Sequence, residues 1–151
     1  MTGRDPLTLN WHPPEVSVGY GPEVTGRGSL ESKIARIIGQ ALRDARDEGM
    51  SRANVARTMA DYLGRPVSEG MLNKWSSEAS EDHRIPLDAF MALARATGAY
   101  QLLGFAPAEF GLAVIASEHA EMITLHLIRE KRQQLEEQER ALEAKLKAAK
   151  R

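Results

Sequence analysis

Apolar positions recur at helical spacing in four consecutive stretches of the chain. In the first, Ile34, Ile37, Ile38, Ala41, Leu42 and Ala45 fall three or four apart, with Arg36, Arg43 and Asp44 between them. That pattern predicts an amphipathic helix, and Gly49 supplies a residue suited to a left-handed C-cap. Ser51 stands where an N-cap belongs and opens a second helix with Val55, Met59, Ala60 and Leu63 on its inner face. Gly64-Arg65-Pro66 breaks that helix. Ser68 then caps a short third helix that carries Met71, Leu72 and Trp75 on one side. A polar loop, Ser76 to Arg84, leads to Pro86, which suits the first turn of a fourth helix. That helix presents Phe90, Leu93 and Ala94 inward and stops at Thr97-Gly98, and Tyr100 to Phe105 completes the core.

The flanks have a different texture. Residues 1–29 hold four of the seven prolines and five of the twelve glycines. Proline lacks the amide donor and pushes its predecessor toward extended geometry, so no helix is expected there. Trp11-His12-Pro13-Pro14 has polyproline character, and Val16 to Tyr20 alternates as a short strand does. The stretch is either an exposed arm that packs on a partner or a free tail, and Trp11 and Tyr20 tilt the reading toward packing. From residue 107 onward no glycine follows Gly111 and no proline follows Pro107, and Ala, Glu, Lys, Leu, Arg and Gln dominate. These are strong helix formers, and a helix over 107–151 would run ~60 Å. Ile128, Leu135, Leu142 and Ala149 repeat every seven residues. The companion seam positions, Leu125, Arg132, Glu139 and Leu146, are only half apolar, a weak coiled-coil signal that leaves open a dimerising helix or a frayed, solvated one. Glu136–Arg140 and Glu143–Lys147 have the spacing for ion pairs along one face.

Composition narrows the field of functions. Of 151 residues, 42% are hydrophobic and 27% charged, as in a globular protein. The absence of cysteine excludes disulfides, thiolate metal sites and thiol catalysis. No apolar run approaches the ~18 residues of a membrane span, and the N-terminus has no apolar signal core, so a cytoplasmic setting without membrane contact is expected. With 20 Lys+Arg against 21 Asp+Glu the net charge is −1, so any case for nucleic acid must come from local pattern.

Local pattern supplies one. The stretch Ala60-Asp-Tyr-Leu-Gly64-Arg-Pro-Val67-Ser68-Glu-Gly-Met-Leu72-Asn-Lys-Trp75 resembles the helix-turn-helix of phage-repressor-like regulators, of the lambda repressor/XRE and phage CII-like types. Ile85 to Gly98 resembles the helix that follows in those regulators, and the likeness covers roughly residues 34–103. The combination of arm, helical domain and basic tail also resembles small regulators of Mu-like transposable phages. On this resemblance Ala60 is the small residue where two helices cross, Gly64 the turn residue with positive φ, and Val67-Ser68 the start of a recognition helix. Arg65-Pro66 departs from the pattern by lengthening the turn two residues.

Groove dimensions explain such a layout, because a ~12 Å major groove admits one helix held outward by its neighbours. With Met71, Leu72 and Trp75 inward, Ser68, Glu69, Gly70, Asn73 and Lys74 form the candidate base-reading set. Asn73 matches adenine, Lys74 reaches guanine or phosphate, and Glu69 can accept from cytosine. Gly70 costs a helix ~1 kcal/mol relative to alanine, which calls for a reason: close approach to a groove or a tight helix crossing. Ser51, Arg52, Arg57, Arg65 and Arg84 are candidate phosphate ligands. Gly49 to Lys74 carries four basic and two acidic residues, a local excess that favours two copies on adjacent half-sites.

Enzymatic readings find little footing. The four histidines (His12, His83, His119 and His126) lie in no metal-binding spacing, and no phosphate loop, nucleophile elbow or carboxylate pair is recognisable. No catalytic residue, metal or cofactor is expected. The expected architecture is all-α: an extended arm (1–29), a four- to five-helix helix-turn-helix domain (30–106) and a long C-terminal helix (107–151). The expected function is sequence-specific binding of double-stranded DNA by helix 68–77 of a homodimer, as a transcriptional regulator. The competing class is a protein-interaction module, in which the arm and the C-terminal helix grip a protein partner and the helical domain is scaffold.

Overall fold

The computed structural model describes residues 16–80 and 82–151. It divides into two compact units, the first ending at Val114 and the second running from Ile115 to Arg151. Helix dominates throughout, as the periodicity predicts. In chain order the elements are β1 (Ser17–Val18), α1 (Pro22–Thr25), α2 (Leu30–Asp47), α3 (Arg52–Leu63), α4 (Glu69–Trp75) and α5 (Leu87–Thr97), followed by a 3-10 turn (Tyr100–Gly104), α6 (Phe105–Ala108), β2 (Val114–Ile115) and α7 (Ser117–Ala149). The two short strands pair with each other.

In the first unit the helix signals read from the sequence act as written. Ser51 and Ser68, the predicted caps of α3 and α4, and also Ser29 before α2 each accept a hydrogen bond from the backbone N–H three residues on, at 3.2 Å. At the end of α2 the Gly49 N–H reaches the Arg46 carbonyl and the Met50 N–H the Ala45 carbonyl, a Schellman closure that folds Met50 onto the core. The core itself is Ile37, Ile38 and Leu42 of α2, Val55, Ala56 and Met59 of α3, Leu72 and Trp75 of α4, Leu93 and its alanine neighbours of α5, and Leu102. Ile34, Leu63, Met71 and Phe90, all expected inside, are half-buried at its edge. Ala60 is half-buried too, and the enclosed small residue of α3 is Ala56, one turn earlier. With few aromatics to fill volume, the helices approach closely on alanine and glycine.

Three expectations are revised. Residues 16–29 contain a helical turn, α1, because Pro22 sits at its first position, where a missing N–H costs nothing. This segment packs on its own chain: Tyr20 and Val24 lie against the core, and the Arg36 guanidinium holds the carbonyls of Thr25 at 2.6 Å and Arg27 at 2.7 Å. Gly104 runs so close beneath the strand that a Cβ there would overlap the Val18 carbonyl. Trp11 and the polyproline-like segment lie outside the described residues. Second, the long helix starts at Ser117 and not at 107, since Gly111 takes φ +69° and a turn and strand intervene. Third, Glu136 turns to Arg132 at 3.8 Å rather than to Arg140, and the Glu143–Lys147 pair does not close.

In the second unit α7 is a continuous helix of 33 residues, none of them buried. No described helix is long and apolar enough to cross a membrane.

Candidate nucleic-acid interface

Two turns of sequence place α4. Gly64 ends α3 in the left-handed region, φ +68° and ψ +23°, a conformation that costs a residue with a Cβ about 1 kcal/mol or more. The added residues Arg65-Pro66 then find a structural role, because the Arg65 guanidinium forms a two-pronged pair with the Asp88 carboxylate at the start of α5, at 2.8 and 3.1 Å. Val67 packs against the core, Ser68 caps α4, and Leu72 with Trp75 (7% exposed) fastens its inner side. Ser68, Glu69, Gly70, Asn73 and Lys74 are all exposed, on the side away from that anchor. α4 is shorter than the 68–77 span: Ser68 is its cap and Ser76 its C-terminal residue outside the helix.

The structure brings some of the candidate residues together and separates others. Arg52, in the first turn of α3, donates to the Asn73 side-chain oxygen and so ties the two helices across their outer faces. This bond engages only the amide oxygen of the exposed Asn73 side chain, and an amide oxygen can still accept a second hydrogen bond. Arg57 donates to Asn54 Oδ1 at 2.6 Å and pairs with no carboxylate among the described residues. The Ser51 hydroxyl is spent on its cap, so an anion there would meet the first-turn amides of α3 instead. Arg65 and Arg84 stand apart from this group. Arg65 belongs to Asp88, and Arg84 pairs with Glu31 in the first turn of α2. Both pairs are solvent-exposed and worth little in stability, yet each diverts a cation from phosphate duty.

Gly70 is not held in place by a helix crossing among the described residues. A Cβ at that position would meet nothing nearer than Ser68 Oγ, at 3.7 Å, so no crossing helix requires the glycine. The tight approach lies elsewhere. At Gly39 of α2 a Cβ would sit 3.9 Å from the backbone and side chain of Ser76 and 3.3 Å from Arg43 Nη1. That geometry exposes a residue the periodicity treats as mere solvent face: Arg43, steadied by Gln40 Oε1 at 2.9 Å, lies beside the C-terminal end of α4. Only the close passage of two helices at a buried glycine reveals it, and the spacing Gly39–Arg43 on one helical face is the sequence trace it leaves.

The remaining polar features are structural. Behind α4, a cleft of about 300 Å³ between the start of α2 and the 77–85 loop is lined by Ser32, Trp75, Ser80 and His83 among others, its carboxylates already paired with Arg36 and Arg84. His119 and His126 of α7 pair with Glu118 and Glu130 of their own helix, and no group of three metal ligands occurs among the described residues. Tyr20 carries a buried hydroxyl without a hydrogen-bond partner; burial first, and the Asp44 carboxylate second, push its pKa up to about 12.

No family model matches this chain, and neither the curated proteins nor the solved structures include a significant match to it.

Proposed function

We propose that this protein is a non-enzymatic regulator of transcription that binds double-stranded DNA sequence-specifically, inserting α4 into the major groove, and that it works as a homodimer. The reading rests chiefly on Gly70: a helix destabilised at an exposed position with no neighbour among the described residues to justify it. A groove wall pressed against that face supplies the reason. Asn73 and Lys74 flank it as base-edge donors, Ser68 and Glu69 open the helix, and Arg52, Arg57 and Arg43 stand around it as phosphate ligands. The resemblance to phage-repressor-like helix-turn-helix regulators agrees with this reading. It places such a protein in the cytoplasm of a bacterial host, associated with the nucleoid when bound, as the product of a phage or prophage. Free cations are few, so one copy binds weakly and two adjacent half-sites are needed.

The test is a salt series of duplex binding on a sequence selected from random DNA. Asn73→Ala relaxes preference at one base pair, with a loss of about 1–3 kcal/mol at that site, and Lys74→Ala weakens binding while lowering the salt slope by about one. Unchanged affinity and preference in both variants rejects α4 as the reading head. A protein-interaction module is the second reading, favoured by the diversion of Arg65 and Arg84 into internal pairs. It predicts no duplex retardation at low salt.

A further inference from the structure

α7 has no buried residue, yet Leu125, Ile128, Leu135, Leu142 and Leu146 are 47–64% exposed along one seam. An isolated helix gains nothing from such a seam, whereas a second copy of the same helix buries it. Two charged residues interrupt the seam, Arg132 and Glu139, and they decide how that copy lies. In a parallel pair each seam residue meets itself, so Arg132 faces Arg132 and Glu139 faces Glu139 inside the interface, where like charges are costly. The one favourable flank of that arrangement, Lys131 with Glu136 of the other copy, is exposed and worth under about 1 kcal/mol.

We propose that α7 pairs with a second copy of itself in antiparallel orientation, with Leu125 opposite Leu142 of the second copy. This rests on the dimeric part of the function proposed above. The register puts Arg132 opposite Leu135 of the second copy, with that copy's Arg132 and Glu139 in the two adjoining layers, so its aliphatic stem covers the leucine and its guanidinium turns from the arginine toward Glu139. On one flank Arg129 meets Glu136 of the second copy, twice by symmetry. On the other, Lys131 meets Gln138 and no like charges oppose. Sliding one copy by a heptad toward Leu125 opposite Ala149 restores repulsion, because Glu136 then faces itself and Lys131 faces Lys145. The N-terminal ends of the two helices come to lie ~50 Å apart at 1.5 Å per residue, whereas a parallel pair brings them together.

The chain has no cysteine, so engineered cysteines report without background. Full-length Leu125→Cys and Leu142→Cys proteins are mixed under mild oxidation, and Leu142→Cys is oxidised alone. A covalent heterodimer from the mixture, with no covalent dimer from Leu142→Cys alone, is the expected result; efficient self-linking of Leu142→Cys shows the parallel pair and overturns the proposal. In parallel, light scattering follows a charge swap. Arg132→Glu weakens dimerisation at least tenfold and Arg132→Glu with Glu139→Arg restores it; an unaffected dimer in the single variant, or a monomer in the unmodified chain, also overturns it. Duplex retardation of the unmodified chain at low salt is read separately. Heterodimer linking without retardation keeps the orientation and rejects the DNA reading, while self-linking with retardation does the reverse.

Discussion

A glycine inside a seven-residue helix is a local weakness of about 1 kcal/mol relative to alanine, and at position 70 no described residue of the first unit offsets it. Gly70→Ala therefore separates stability from function in a single experiment: denaturant unfolding shifts toward higher stability by up to ~1 kcal/mol, and duplex binding falls because the added methyl meets the groove. A variant that is stabilised and binds unchanged removes the observation on which the DNA reading stands. Tyr20 offers a second separation, between a contact and its chemistry. Its ring packs on the core while its hydroxyl is buried with no partner, a desolvation cost without a compensating bond. Tyr20→Phe is expected to leave neutral-pH stability equal or slightly higher. The folded pKa of about 12 lies above the usual 10, so both states hold the proton below pH 10 and stability is constant there. Above pH 10 the unfolded chain ionises first and stability falls toward pH 12. Thermal melts across that window test the sign: the Phe variant loses the part of the alkaline decline that Tyr20 contributes.

At the scale of elements, the cap serines and the three- and four-residue spacing of apolar positions were enough to place α2 to α5, because each signal acts within one turn of the chain. Gly64, Ser68, Leu72 and Trp75 likewise revealed which side of α4 faces out. What spacing does not carry is contact between distant segments. Nothing near Arg65 in sequence announces Asp88, twenty-three residues on, so an inserted pair that looks like a loosened turn proves to be tied down. The same holds for the segment around β1, whose prolines, glycines and aromatics do not say whether it packs on a partner or on its own chain. Its attachment depends on Arg36 and on Gly104, the latter eighty-six residues from Val18, the residue it touches. Gly104→Ala tests that attachment. The backbone there is in an ordinary helical region, so it is the backbone of Val18 and Gly19 that opposes the methyl. A loss of about 1–3 kcal/mol is expected, as for other overpacked sites, with faster amide exchange confined to residues 16–25. Uniform protection across that segment in the variant means that the strap is held by other contacts.

For the molecule as a whole, net charge and the few unpaired cations around α4 set the terms of the proposed DNA binding. At −1 the chain has no long-range attraction to DNA, and the face around α4 offers Arg52, Arg57 and Lys74 with Arg43 beside it, against Glu69. Three or four phosphate contacts give a salt slope of about −3 for one copy, and two copies acting together about double it, since each neutralised phosphate contributes roughly 0.9. Leu135 lies at the middle of the exposed seam of α7 and is not a member of the first unit's core, so Leu135→Asp is expected to leave the first unit folded and to separate the copies. The slope of log affinity against log salt is expected to fall by half in that variant, with affinity for a two-half-site duplex dropping at least a hundredfold and affinity for a single half-site unchanged. Equal slopes in both proteins mean that each copy binds alone, in which case α7 serves another partner and the small cationic face must account for all the affinity by itself.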